Sequence, residues 1–217
     1  MRCGQNLQGC EVDRGVNFKV AIEHLEPELS KWLLYEYENA AKVLGKSLIF
    51  TNIKRPPRTL TKLSTIKRQS ALRLFPHETL ILDPRAKKTL TPQDLKGDSI
   101  AVIGGILGEH PPRGRTRTLL TLKAPKAKAR NLGNWQFTID GAAYVTNLIA
   151  SGKKLELIPV KCGLVLRANF KPSGVHEVLL PYAYPIVANK PLISNKLVNY
   201  LMNAKNPKIA WRNRPLV

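Results

Sequence analysis

The chain has 217 residues, 43% of them hydrophobic, which suits one sizeable core with or without a small subdomain. Its 35 Lys and Arg residues outnumber 15 Asp and Glu residues, and the formal charge of +20 favours nucleic acid or a ribonucleoprotein as partner. A merely solvated basic surface would give the same composition. Because the sequence has neither roughly 18 consecutive apolar residues nor a signal-peptide pattern, we expect a cytoplasmic protein without a membrane span.

Cysteine usage gives no sign of a metal site. Cys3, Cys10 and Cys162 are odd in number and lack the close pairing with a second Cys or His pair that zinc requires. We therefore expect free thiols and no metal.

Strands and helices are predicted to alternate along the first two thirds of the chain. Residues 1–16 are polar and aperiodic, which indicates either a disordered extension or sequence upstream of the true start. Pro27 suits the first turn of a helix whose apolar side chains recur at helical spacing up to Leu44, where Gly45 ends it. Patterns typical of strands occupy residues 18–25, 48–53, 79–83, 99–103 and 155–160, and helix patterns start at 91 and span 140–151.

This alternation predicts an α/β fold, a mostly parallel sheet with helices on both faces. Beyond the helix predicted over 140–151, strands are expected within 155–170, 177–180 and 185–188, followed by a helix over 194–204. We therefore expect a core over residues 17–153 and a small strand and helix appendage over residues 154–217.

A glycine-rich run follows the strand predicted to end at Ile103. Gly104, Gly105 and Gly108 permit close backbone approach by a ligand, and ligands of open α/β sheets bind beyond the carboxyl ends of the strands. The spacing matches neither the dinucleotide fingerprint nor the phosphate loop. A ligand-contacting loop and a turn made only for packing both remain open.

Several motifs occur in a fixed order: residues 82–86 (LDPRA), 90–94 (LTPQD) and 104–116 (GGILGEHPPRGRT). IEHLE at 22–26 with Ser30 and Trp32 precedes them, and Leu132-Gly133 with Gln136, Thr138, Asp140 and Ala142 follows. Together they resemble, over residues 17–152, one subfamily of the SPOUT methyltransferases. That subfamily includes archaeal proteins of unassigned substrate and a fungal arginine methyltransferase that modifies a small-subunit ribosomal protein.

The resemblance implies that S-adenosylmethionine is bound in a deep trefoil knot, in a monomer or a homodimer. Residues 82–84 would line one side, residues 104–110 would face adenine and ribose, and residues 132–139 would close around the methionine part. Substituting Gly105 by valine would then block the cofactor. The implied cofactor contacts are Leu82, Asp83, Pro84, Gly104, Gly105, Ile106, Leu107, Gly108, Glu109, His110, Leu132, Gly133, Phe137, Thr138 and Ile139.

Methyl transfer from a sulfonium is an in-line displacement in which the protein aligns the nucleophile and handles any proton lost. His110 equally suits a structural role before two prolines, and Asp140 equally suits the start of a helix. The candidate polar groups are Glu109, His110, Arg113, Arg115 and Asp140.

Two substrate classes call for opposite charges around the site. An arginine guanidinium stays protonated in water, so its site requires carboxylates that orient it and accept a proton. Glu23, Glu26 and Glu36 are candidates. An RNA substrate requires basic side chains around the opening, for which the candidates are Arg113, Arg115, Arg117 and Arg130. The charge favours methylation of RNA or a ribosomal ribonucleoprotein. The alternatives are methylation of an arginine in a ribosomal protein and a non-catalytic RNA- or ribosome-binding module.

Overall fold

The computed structural model describes residues 18–170, 174–203 and 208–211, so the predicted extension at 1–16 lies outside the described residues. The first sheet holds six parallel strands: β1 (Lys19–His24), β2 (Leu48–Thr51), β3 (Thr65–Ile66), β4 (Thr79–Leu82), β5 (Ile100–Gly105) and β6 (Lys128–Arg130). Their order is β3-β2-β1-β5-β4-β6. Within these described ranges, the two sheets are accompanied by six helices: α1 (Lys31–Leu44), α2 (Arg58–Thr61), α3 (Ala71–Leu74), α4 (Arg115–Leu119), α5 (Ile139–Ala150) and α6 (Asn195–Met202).

Both faces of the parallel sheet are covered, as predicted. Alternate residues of a strand point to opposite faces. Val20 and Ile22 therefore pack in the cluster that contains α1 and α5, whereas Ala21 packs with Ala71 of α3 and with Leu120. The sheet is thus the middle layer of the molecule, with its central strands buried on both sides.

The first long helix begins later than the sequence indicated. Ser30 is its N-cap, accepting a hydrogen bond from the Leu33 amide at 3.3 Å, and Pro27 lies before the helix, not in its first turn. The hydroxyl satisfies an amide that has no partner within the helix. Gly45, at φ 53°, ends the helix as predicted.

A second, antiparallel sheet is formed by β7 (Val160–Phe170), β8 (Gly174–Val187), β9 (Lys190–Pro191) and β10 (Lys208–Trp211), in the order β10-β7-β8-β9. The strand predicted at 155–160 is wrong, because Leu155–Leu157 forms a short 3-10 turn. The strands predicted at 177–180 and 185–188 are one continuous strand. Pro181 interrupts the sequence pattern, but it lies at a bulge opposite Gly163, where a missing amide is tolerated.

Among the described residues, no helix is long and apolar enough to cross a membrane. In the same part of the chain, no three His, Cys, Asp or Glu side chains gather as metal ligands would. Cys162 is an exposed free thiol, while Cys3 and Cys10 lie outside the described residues.

Candidate cofactor and substrate site

A cavity of about 390 Å³ opens beyond the carboxyl ends of β4 and β5. All three segments that the sequence singled out contribute to its wall. Twelve of the fifteen implied cofactor contacts line it: Leu82, Asp83, Pro84, Gly104, Ile106, Leu107, Gly108, Glu109, Leu132, Phe137, Thr138 and Ile139. The volume lies within the range of roughly 300–1,000 Å³ that small-molecule sites occupy.

The chemistry of this wall suits a nucleoside. Apolar side chains from β4, β5 and the loop before α5 form most of the surface, and Trp135, which the sequence did not single out, packs edge-on to Phe137. Nine of the lining residues are polar or charged, among them Asn134 and Gln136, which the predicted cofactor contacts also omitted. The cavity thus combines a mainly apolar surface with polar groups that could orient a ligand.

The adjacent glycines Gly104 and Gly105 face opposite ways. Gly104 lines the cavity, whereas a Cβ on Gly105 would overlap the Tyr37 hydroxyl and lie 2.9 Å from the Glu23 carbonyl oxygen. The expectation that valine at Gly105 blocks the cofactor is therefore wrong about the mechanism, because this position is occupied by the protein core. Gly105 is needed so that α1 can pack on β5.

We expect Gly105→Ala to lower the free energy of unfolding by about 1–3 kcal/mol, the usual cost of overpacking a core. The added methyl group must displace Tyr37, whose hydroxyl also bonds His24 Nδ1 at 3.0 Å. Thermal and denaturant unfolding without cofactor measure the effect. Unchanged stability with weakened cofactor binding would restore the original expectation.

Two other implied contacts do not line the cavity. His110 is exposed on the loop after Glu109, and Gly133 supports a turn at φ 79° between Leu132 and Asn134. The positive φ explains the glycine at this position, because other residues adopt it at a cost. Both residues therefore shape the loops without facing the cavity.

Ion pairs close the rim of the cavity. Arg115 donates two hydrogen bonds to the Glu26 carboxylate at 2.8 and 2.9 Å, and these lower the pKa of Glu26. The Leu107 amide also bonds Glu26, at 3.0 Å. Glu109 contacts Arg113 Nε at 2.7 Å without a well-aligned hydrogen bond. Glu26 is therefore already neutralised and fixes the loop after β5.

Glu23 lies elsewhere than predicted. Its buried carboxylate accepts hydrogen bonds from the Thr51 hydroxyl and from the Ala71 amide, at 2.8 Å in the second case. These partners belong to β2 and α3, on the sheet face opposite α1. Glu23 is thus wrong as a substrate contact, and it ties α3 to the sheet.

Asp83 and Glu109 are the carboxyl groups that line the cavity itself, whereas Glu36 lies in a smaller space beside it. Glu36 accepts hydrogen bonds from Trp32 Nε1 at 2.6 Å and from the Ile139 amide at 2.9 Å. With Trp32 and Tyr182 it lines a narrow slot that shares residues 106–108 and 137–139 with the cavity. Burial and, second, the charge of Asp140 raise the pKa of Glu36 to about 8.

Asp140 stands behind Glu36 and lines neither space. It is buried, and it accepts hydrogen bonds from Asn39 Nδ2 at 2.7 Å and from the Gly141 amide at 2.9 Å. Burial raises its pKa. Its predicted role at the substrate is wrong, because the side chain fastens α5 to α1 and perturbs Glu36 from a distance.

The basic candidates are divided between the rim and the sheet edge. Arg113 and Arg115 line the cavity. Arg117 lies 3.9 Å from the buried Asp83, and Arg130 is held by two hydrogen bonds to Asp94. Arg130 is therefore committed to linking β6 with the turn at Pro92–Leu95.

Tyr182 is a further site residue that the sequence did not reveal. Its hydroxyl donates to the Gly108 carbonyl at 2.6 Å, and the next amide, Ala183, donates to the Gln136 carbonyl at 2.8 Å. These bonds attach β8 to the glycine loop and to the loop before α5. The predicted appendage therefore contributes one wall of the slot.

A family model described as "Protein arginine N-methyltransferase SFM1-like" matches residues 19–207. The chain belongs to the SFM1-like family. The protein arginine N-methyltransferase SFM1 of Saccharomyces cerevisiae is 35% identical over 149 residues, which are 60% of this chain and 70% of that relative.

Solved structures of yeast SFM1 are similar over most of the chain. The complex with S-adenosylhomocysteine (SAH) gives a TM-score of 0.72 at 29% identity, covering 84% of this chain and 94% of that one. The complex with S-adenosylmethionine (SAM) gives 0.72 at 28% identity, covering 86% and 90%. The chain is accordingly a SPOUT-fold methyltransferase that uses S-adenosylmethionine, which confirms the expected fold, enzyme class and cofactor.

Proposed function

We propose that this SFM1-like enzyme methylates a guanidinium nitrogen of an arginine in a protein substrate. The observation that carries the proposal is the buried carboxyl of Glu36 in a slot that adjoins the candidate cofactor cavity. Binding of the cofactor by the residues that line this cavity is part of the same proposal. The similarity to SFM1, a protein arginine N-methyltransferase, gives independent support.

S-adenosylmethionine supplies an electrophilic methyl group, and its carbon–sulfur bond breaks as the new nitrogen–carbon bond forms, leaving a neutral thioether. The arginine nitrogen must lose one proton, because a protonated guanidinium has no free lone pair for the attack. Glu36 is the group placed to orient the guanidinium and to accept that proton. Charge balances, because the sulfonium becomes a neutral thioether, the arginine ends as a methylated guanidinium and the released proton neutralises the Glu36 carboxylate.

The walls of the slot suit a planar cation. Trp32 and Tyr182 stand beside Glu36, and aromatic rings attract guanidinium groups through their faces. The Trp32 Nε1 bond fixes the Glu36 carboxyl, which limits the reorganisation needed when substrate binds. The slot measures about 10 Å³, room for roughly one water molecule, so an arginine side chain reaches Glu36 only if Trp32 and Tyr182 move apart. The aromatic rings and the carboxyl of its lining favour a planar cation over a nucleotide base attached to a phosphate chain.

RNA as the methyl acceptor, the first expectation from charge, keeps one supporting observation: the arginines at the cavity rim. Of the two rim arginines, Arg113 is largely exposed and Arg115 is engaged by Glu26. A ribosomal substrate, the cytoplasmic location, a monomeric or dimeric state and a relation to archaeal proteins stay predictions.

The deciding experiment is transfer of a labelled methyl group from S-adenosylmethionine to ribosomes and total RNA, with protein and RNA separated before counting. We expect label in protein and, after acid hydrolysis, in methylated arginine. Label confined to RNA would overturn the proposal and direct attention to Arg113 and Arg115.

The raised pKa of Glu36 predicts a pH dependence. In the free enzyme the carboxyl is protonated below about pH 8, and only the ionised form attracts a guanidinium and accepts its proton. We therefore expect kcat/KM for an arginine peptide to rise as the pH passes upward through about 8 and then to level off. Steady-state rates between about pH 6 and 10 measure the profile, and a profile that falls over this range would contradict the role of Glu36.

A further inference from the structure

A second surface feature lies beside the cofactor cavity, at the β4–β6 edge of the sheet. It is an open depression of about 540 Å³ lined by Arg85, Ala86, Lys87, Lys88, Arg117 and Ala129, which we call the basic depression. Its four basic residues are exposed. Arg85 also lines the cofactor cavity, so the two spaces are neighbours.

The positive charge of the basic depression is poorly neutralised. Residues 85–88 and 113–130, which supply its basic side chains, hold ten Lys and Arg and no Asp or Glu. Within the described residues, Arg85, Lys87 and Lys88 have no carboxylate within 4.0 Å, and Arg117 has only the buried Asp83 at 3.9 Å. A folded protein gains little from such a cluster unless an anionic partner binds it.

We propose that the basic depression binds the phosphate backbone of RNA, so that the strand passes beside the opening of the cofactor cavity. An open surface with several long, mobile cations suits a polymer with closely spaced charges better than one small anion, which needs an enclosed site. Each phosphate contact releases counterions, which gives a binding energy independent of base sequence. This inference does not depend on which atom the enzyme methylates.

The test compares two double variants with the same loss of charge. Lys87→Ala with Lys88→Ala removes two cations from the basic depression. Lys153→Ala with Lys154→Ala removes two exposed cations from the segment between α5 and the turn at Leu155–Leu157, where neither lysine has an ion pair within the described part of the chain. The whole chain is used, and the probe is a labelled single-stranded RNA of about 20 nucleotides.

We expect the first pair to weaken RNA binding about 10- to 30-fold at about 0.1 M salt and to reduce the slope of log affinity against log salt by about 1.4. The Lys153 and Lys154 pair should leave both quantities near the wild-type values. Equal losses in the two pairs would show that only net charge matters, and would overturn the proposal.

Two further readouts separate the other outcomes. Polyglutamate that displaces the RNA as well as unlabelled RNA does would indicate an acidic protein partner and would also overturn the proposal. Methyl transfer to a short arginine peptide should be unchanged in the Lys87 and Lys88 pair, because neither residue lines the cavity or the slot. Failure of the arginine proposal would leave the RNA measurements as they are, so the two proposals are distinguishable.

Discussion

Replacing Glu36 by glutamine is expected to lower kcat/KM for an arginine peptide by a factor of at least about 100, the lower end of what a positioned acid or base contributes. Glutamine nearly preserves the shape of the side chain but can neither accept the proton nor carry a negative charge. The slot and the cavity share walls but not Glu36, which lies outside the cavity. Cofactor affinity, measured by calorimetric titration, should therefore stay within a few-fold of wild type.

The matched control is Glu38→Gln, which removes another buried carboxylate from the same helix. Glu38 pairs with Lys196 at 2.7 Å and lines neither the cavity nor the slot, so its loss should affect stability more than turnover. Full activity in Glu36→Gln would contradict the proposal. So would a loss of cofactor affinity as large as the loss of activity, because Glu36 would then support the cavity and not the acceptor. Glu36→Asp, which keeps the charge in a shorter side chain, should recover part of the rate.

Gly104→Val is expected to weaken binding of S-adenosylmethionine by at least about tenfold, equivalent to roughly 1.4 kcal/mol. A Cβ at this position would already lie 3.3 Å from the Ile106 side chain and 3.3 Å from Thr116 Oγ1, and the two methyl groups of valine would occupy space within the cavity. The change acts on binding because Gly104 faces the cavity rather than the core.

Gly105→Ala is the natural comparison, since the two glycines are neighbours on β5 with opposite orientations. Calorimetric titration and thermal unfolding of both variants should give crossed results, with affinity lost in one and stability lost in the other. If Gly104→Val bound cofactor normally, the cavity would have to serve another ligand.

The elements predicted most accurately are those with a strong local signal. β1, β4, β5, α1 and α5 were found to within a few residues, because their apolar runs and helical spacing are sustained and their ends carry caps. β3, α2, α3, α4 and β6 have two to five residues each and were not predicted. Such short elements are fixed by pairing and packing with distant segments, which leave no periodic trace in the sequence.

Whether Glu23 or Glu36 faces the candidate site could not be predicted from the sequence. Both acids lie near the start of the chain, but the sheet face to which a residue of β1 points depends on the phase of the strand. In a strand buried on both faces, apolar residues occupy both phases, so the pattern does not reveal the phase. The orientation of Gly105 was hidden for the same reason, since a glycine has no side chain whose polarity could indicate its surroundings.

The position of Tyr182 at the slot was even harder to predict from local sequence. Its position opposite Gly108 results from a bulge near Gly163 and from pairing between strands that are well separated from the glycine loop along the chain. Only the folded arrangement brings that ring to the slot.

The residues that the slot adds to those it shares with the cavity have a consequence for how the enzyme's choice of acceptor can change. Every residue around the cavity comes from between Leu82 and Ala142, whereas the slot also uses Trp32 and Glu36 of α1 and Tyr182 of β8. Six of the nine residues that line the slot, 106–108 and 137–139, also line the cavity, so the slot is distinguished only by Trp32, Glu36 and Tyr182. If the donor binds in the cavity and the acceptor in the slot, as we propose, substitutions of Trp32 or Tyr182 are expected to change the choice of acceptor with the least effect on use of the donor.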